Sequence, residues 1–171
     1  NKLIITGRKE SLLSGLQETL VAKHNASVHT LCFDVQNKEA VFAAINTIPD
    51  AFKNIDVLIN NAGLALGRDA FQDANLDDWE TMIDTNVKGL LYVSKAVLPL
   101  LINNKKAHII NIGSTAGVEV YKEGNVYCAS KHAVAAISKS MRIDLLPHHI
   151  KVTAIHPGAA ETNFSNTRFK G

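Results

Sequence analysis

The stretch "LIITGRKESL", residues Leu3–Leu12, decides how the rest of the chain is read. Leu3, Ile4, Ile5 and Thr6 run into Gly7 and then into a charged segment, so a short strand ends in a turn and a helix follows. If Thr6-Gly7 opened a phosphate-cradling loop, further glycines would have to follow within a few positions. Ser11 and Leu13 stand there instead, so the loop is absent and this strand takes its place in the fold from what comes after it.

Outward from that turn, short β-branched runs alternate with longer segments of helical period, the mark of strand-helix-strand units and a parallel sheet. The strands are expected at Lys2–Thr6, Val28–Asp34, Ile55–Asn60, His108–Ile112 and Lys151–Ile155. Leu12, Leu13, Leu16 and Leu20 share one helical face, as do Val41, Phe42, Ile45 and Ile48, and each set should pack on one side. Two longer helices are expected. One runs from Asp77 to about Asn104 with Met82, Ile83, Val87, Leu90 and Leu91 at helical spacing; the other spans Tyr127 to Leu146 with Val134, Ile137, Met141 and Leu145. No repeat, low-complexity tract or linker interrupts the pattern, so residues 1–171 read as one doubly wound, Rossmann-like α/β domain. Its ligand belongs at the carboxyl ends of the strands.

Composition narrows the ligand. With 46% apolar and 20% charged residues the chain is a globular domain, and a net charge of +2 with both signs interspersed gives no basic stripe for nucleic acid or an anionic membrane. A small molecule in a pocket is expected. No apolar run reaches the ~20 residues of a membrane span, and Asn1-Lys2 begins with no signal-peptide pattern, which points to the cytoplasm. Cys32 and Cys128 have apolar neighbours and no metal or redox spacing, so both are expected as buried reduced thiols. The seven histidines form no HExxH pattern, and no metal is expected.

Two strand ends carry chemistry. In "IDVLINNAG" the residues Asn60, Asn61, Ala62 and Gly63 follow an apolar strand, and the small ones let a ligand approach the backbone closely. In "IINIGSTAG" Ser114 lies just past a strand, and thirteen residues later "YCASK" places Tyr127 and Lys131 four apart on one helical face. A free tyrosine, with a pKa of ~10, exchanges protons poorly at neutral pH, and an adjacent ammonium favours its phenolate. Taken alone, such a pair occurs on many solvated helix faces.

Taken together, "NNAG", "DTNVKG" with Asn86, Ser114, Tyr127, Lys131 and "HPG" stand in an order and at spacings that resemble the short-chain dehydrogenase/reductase family over nearly the whole chain. The resemblance implies that Tyr127 is the catalytic acid/base, that Ser114 bonds the reacting oxygen, and that Lys131 lowers the Tyr127 pKa and holds the nicotinamide ribose. Asn86 would be the helix-kinking asparagine that holds a water in a proton relay from Lys131. It further implies that Asn61, Ala62 and Gly63 floor the adenosine half of a dinucleotide and that Asp34-Val35 contact adenine. Pro157 and Gly158 would line the nicotinamide, and Thr162 would bind its carboxamide. Valine is usual where this chain has Ala160.

Under the same resemblance, the strand ending in Gly7-Arg8 is the family's second, and a terminal arginine there pairs with the 2′-phosphate of NADP where an acidic residue would favour NAD. Lys9 adds a second charge. "NIGSTAG", "NNAGLALG" and "ETNFSNTRFKG" are similar to the subgroup acting on 3-hydroxy acids such as serine and L-allo-threonine, with Arg168 or Lys170 available to a substrate carboxylate. Other carbonyl reductases, of 3-oxoacyl thioesters, sugars or xenobiotic ketones, share the catalytic set, and a non-catalytic nucleotide-binding scaffold would need none of it. Family oligomers pair their two long helices into dimers and tetramers, for which Ala129, Ala133 and Ala136 would allow close approach. Because the resemblance begins at the second strand, the first strand, its glycine loop and the next helix are expected to be missing, and so is the C-terminal substrate lobe. The missing strand would lie between the strands at Lys2–Thr6 and Ile55–Asn60.

Overall fold

The computed structural model describes residues 2–104 and 106–159. Strands and helices alternate along them: β1 (Lys2–Gly7), α1 (Glu10–His24), β2 (Ser27–Cys32), α2 (Lys38–Asn46), β3 (Val57–Asn60), α3 (Leu76–Ile83), α4 (Leu90–Ile102), β4 (His108–Ile112), α5 (Asn125–Asp144) and β5 (Lys151–Ile155). A π-helical turn, Asp84–Gly89, joins α3 to α4. All strand pairs are parallel. β4 and β5 fall where the apolar runs place them, and β2 stops short of Asp34 for a local reason. The Asp34 carboxylate accepts the Gln36 backbone N–H at 3.0 Å, turning the chain out of the strand. Asn37 then caps α2 by accepting from Ala40 N at 2.9 Å.

Leu31 and Phe33 of the β2 run, Val41, Ile45 and Ile48 of the α2 segment, Val97 and Leu101 of α4, and Ile109 and Val152 of β4 and β5 form one buried core. The alternation along β2 that buries Leu31 and Phe33 turns Cys32 to the opposite face, so Cys32 is exposed and only Cys128 is buried. That corrects the expectation of two buried thiols. The leucine face of α1 is corrected as well. Leu13 is buried and packs toward Gly7, whereas Leu12 and Leu16 are exposed, because α1 packs on β1 and β2 and the wider apolar stripe extends past them. Leu76–Ile102 form a continuous 27-residue helix that by length and composition alone could cross a membrane, although Asp77, Asp78, Glu80, Asp84, Lys88 and Lys95 interrupt its apolar residues. Its buried Met82, Leu90, Val97 and Leu101 show where that apolarity is used, in packing against the rest of the fold.

The sheet is in two parts, β1-β2 and β3-β4-β5. Between them lies a cavity of about 710 Å³, walled by Leu3 and Ile4 of β1, Leu58 and Ile59 of β3, and Val93 and Val97 of α4. Among the described residues no strand fills it, and the break falls where the family resemblance puts its first strand. Three buried side-chain bonds tie β3 and β4 to each other and to their helices. Asn60 donates to Ser94 Oγ at 2.9 Å and to Asn111 Oδ1 at 2.8 Å, and Asn111 donates to Ser138 Oγ at 2.9 Å. Each group is satisfied inside the core, which fixes the ends of β3 and β4 where the chemistry lies.

Candidate active site

The π-turn interrupts the regular α-helical bonding of the long helix, and it carries Asn86, 2% exposed. The Asn86 amide is held from both sides of the Leu64 peptide: Oδ1 accepts Leu64 N–H at 2.8 Å and Nδ2 donates to Leu64 O at 2.8 Å. Nδ2 also donates to Ser130 Oγ at 3.0 Å. Turns of this kind cluster at functional sites because the extra residue redirects a side chain that a regular helix would aim elsewhere. The π-turn is also tied to the segment after β2, through Gln36 Nε2 donating to Thr85 Oγ1 at 2.7 Å. Gly89 is required at this junction, since a Cβ there would lie 2.7 Å from Val35 Cγ2.

Helix α5 supplies Tyr127 and Lys131, 8% and 6% exposed. The Tyr127 ring packs with Ala65, Met82, Ala116 and Cys128, an apolar wall that fixes its orientation. Ser130, fully buried, donates its hydroxyl to Tyr127 O at 2.8 Å and links the start of α5 to Asn86. Lys131 Nζ donates to Ile112 O at 3.0 Å, and burial pushes its ammonium down from the usual 10.5 to about 8. Gly63 closes this corner. A Cβ at Gly63 would sit 3.3 Å from Asn86 Oδ1 and 3.4 Å from Lys131 Nζ, so the glycine expected to floor the adenosine also borders the two buried groups of the proposed proton path.

Ser114 stands just beyond β4 at the head of the short turn Thr115–Gly117, where its Oγ accepts Ala116 N at 3.1 Å. That turn rides directly on α5. A Cβ at Gly117 would lie 2.5 Å from Lys131 O, so only glycine lets the Ser114 turn approach the Tyr127–Lys131 helix this closely. Sequence reasoning did not single out Ser130, Gln36, Thr85 or Gly117. Ser130 had a local signal, lying three residues after Tyr127 on the same helix; the other three depend on contacts between distant segments.

The expected cofactor residues lie at carboxyl ends of strands: Arg8 after β1, Asp34 and Val35 after β2, Asn61, Ala62 and Gly63 after β3, and Pro157 and Gly158 after β5. Thr162, Arg168, Lys170 and Ala160 lie outside the described residues. Arg8 Nη1 is 3.4 Å from Asp34 Oδ2, with the side chains 61% and 38% exposed. An ion pair this open contributes about 0–1 kcal/mol, so a phosphate dianion could displace the carboxylate. Arg8→Ala in the intact protein is expected to raise KM for NADPH at least tenfold, the loss of about 1.5–3 kcal/mol of charge-assisted bonding, with little change for NADH. Parallel steady-state titrations with the two cofactors check this, and equal losses would place Arg8 away from the phosphate.

A parallel α/β fold with strand-end glycines, a π-turn asparagine and a buried Tyr-x-x-x-Lys helix defines a class of nucleotide-dependent oxidoreductase. The family model for short chain dehydrogenases matches residues 1–171, and the chain belongs to that family. It is 46% identical to the NADP-dependent 3-hydroxy acid dehydrogenase YdfG of Salmonella typhi, over all of this chain and 68% of the relative. It is also 45% identical to sulfoacetaldehyde reductase 2 of Chromohalobacter salexigens, over 99% of this chain and 67% of the relative. A solved closed form of serine dehydrogenase complexed with NADP+ superposes with a TM-score of 0.92 at 46% identity, covering all of this chain and 68% of that one. The chain thus spans about two thirds of the length of these relatives.

Proposed function

We propose that the protein is an NADP-dependent oxidoreductase that moves a hydride between C4 of the nicotinamide and the carbinol carbon of a small 3-hydroxy acid. The observation that carries this reading is the joint burial of Asn86, Ser130, Tyr127 and Lys131, with Gly63 against Asn86 and Lys131, a costly polar cluster that a scaffold would not need. The residues present fit the cofactor. Gly63, after β3, lets the backbone lie close against Asn86 and Lys131, and Lys131 brings a buried three-donor ammonium of which Ile112 O uses one proton.

NADP(H), when bound, supplies or accepts the hydride. Tyr127 gives its proton to the carbonyl oxygen in reduction and takes it from the hydroxyl in oxidation. Ser114 hydrogen-bonds that same oxygen and orients it. The Lys131 ammonium stabilises the negative charge left on Tyr127, and Asn86 holds the π-turn beside it, bordering the route by which a proton reaches Tyr127 from solvent. Asn61, Ala62 and Gly63 support the adenosine, Asp34 and Val35 the adenine, Arg8 the 2′-phosphate, Pro157 and Gly158 the nicotinamide, and Thr162 its carboxamide.

Arg168 is the proposed partner of the substrate acid group. Relatives named for 3-hydroxy acids and for sulfoacetaldehyde, at 46% and 45% identity, have in common a small substrate bearing an acid group. A sulfonate-bearing aldehyde is therefore the second reading. Exposed Ala129 and Ala136 beside half-buried Ala133 on α5 leave a small-residue stripe through which two copies could pair, in support of a cytoplasmic homo-oligomer. The test is a substrate panel on the intact protein with NADP(H). The 3-hydroxy acids should turn over faster than matched uncharged alcohols, and Arg168→Met should erase that preference. A uniform loss across the panel would remove Arg168 from the substrate site, and faster turnover of the sulfonate would favour the second reading.

A further inference from the structure

We propose that His156 is a positioning residue that fixes the Ser114 hydroxyl relative to the nicotinamide wall, an inference that rests on the oxidoreductase reading above. The pairing of β4 with β5 continues past both strands, with Gly113 N–H donating to Ile155 O at 2.7 Å and Thr115 N–H donating to Pro157 O at 3.0 Å. Within this extension the β5 side cannot donate at Pro157, which has no N–H. A side chain adds a donor to the crossing at a different carbonyl. His156 Nδ1 lies 3.0 Å from Ser114 O, and because a carbonyl only accepts, the ring carries its proton on Nδ1.

The ring has room only because position 113 is glycine. A Cβ there would lie 2.7 Å from His156 Nδ1 and 2.9 Å from Cε1. Gly113-Ser114 and His156-Pro157 thus form a matched pair of dipeptides from segments 42 residues apart. The Ser114 carbonyl is held by His156, and its Oγ is held by Ala116 N at 3.1 Å, so both ends of the catalytic serine are fixed. The same crossing carries Pro157 and Gly158, the proposed wall of the nicotinamide. One hydrogen-bonded unit therefore sets the distance between the oxygen that Ser114 orients and the ring that exchanges the hydride.

The test compares His156→Asn, whose side-chain amide nitrogen can occupy the Nδ1 position, with His156→Leu, which has no donor, in the intact protein with NADPH. His156→Leu should lower kcat by about tenfold to a hundredfold, the scale of a small misplacement of reacting groups, with KM for NADPH within about twofold. The deuterium isotope effect on kcat with 4-deuterated NADPH should rise as hydride transfer becomes limiting. His156→Asn should restore most of the rate. A His156→Leu enzyme with kcat within about twofold of wild type, or a His156→Asn enzyme as slow as His156→Leu, would overturn the inference while leaving the oxidoreductase reading intact. Equal falls in kcat and NADPH affinity tracking a lower Tm would also overturn it, as a merely structural role. A wild-type protein with no NADP(H) turnover would overturn the oxidoreductase reading and this inference together.

Discussion

Tyr127→Phe in the intact protein should lower kcat by about 10²–10⁴-fold, the range that a positioned general acid/base contributes, with NADPH affinity nearly unchanged. The substitution removes one oxygen and keeps the ring among Ala65, Met82 and Ala116, so neither the helix nor the neighbouring glycine turn should shift. Loss of a buried hydroxyl costs about 1–3 kcal/mol of stability, too little to unfold a domain stable by about 5–15 kcal/mol. Stopped-flow reduction and a fluorescence titration of NADPH separate the two quantities. A near wild-type kcat would show that the proton travels elsewhere.

Lys131→Met should do two opposite things, removing activity and raising the stability of the cofactor-free protein at pH 7. Burial lowers Lys131 from 10.5 to about 8, so between those values the unfolded chain holds a proton that the folded chain has released. Stability therefore rises with pH across that window, and below about 8 the folded protein bears the full cost of a buried ammonium. Methionine keeps the volume and removes the charge. Against this, Ile112 O loses its donor, at about 1 kcal/mol. The net expectation is a gain of about 1–3 kcal/mol at pH 7 that fades as the pH approaches 10.5. Urea melts at both ends of the window check it, and a variant less stable than wild type at pH 7 would mean that Lys131 is better solvated than its burial implies.

Helical spacing put Tyr127 and Lys131 on one face but only the family resemblance gave them roles, whereas the short β-branched runs of β4 and β5 were enough to place those strands. The special place of Asn86 was visible only through family resemblance, because nothing in the periodicity of Met82, Leu90 and Leu91 signals a π-turn. Cys32 was misplaced because apolar neighbours in sequence say nothing about which face of a strand a residue occupies. The leucine face of α1 was overread for a related reason: periodicity marks a stripe but not how far its packing partner extends. Gln36–Thr85 joins segments 49 residues apart and Asn86–Ser130 segments 44 apart, separations that no local rule reaches. The break between β1 and β3 lies where the family resemblance led one to expect a further strand.

The most direct test of the central claim is to follow the hydride itself, by incubating the intact protein with NADP+ and a 3-hydroxy acid deuterated at C3 and weighing the reduced cofactor by mass spectrometry. The account predicts NADPH carrying one deuterium, formed by wild type and not by Tyr127→Phe. Unlabelled NADPH, or labelled NADPH formed equally by Tyr127→Phe, would contradict it.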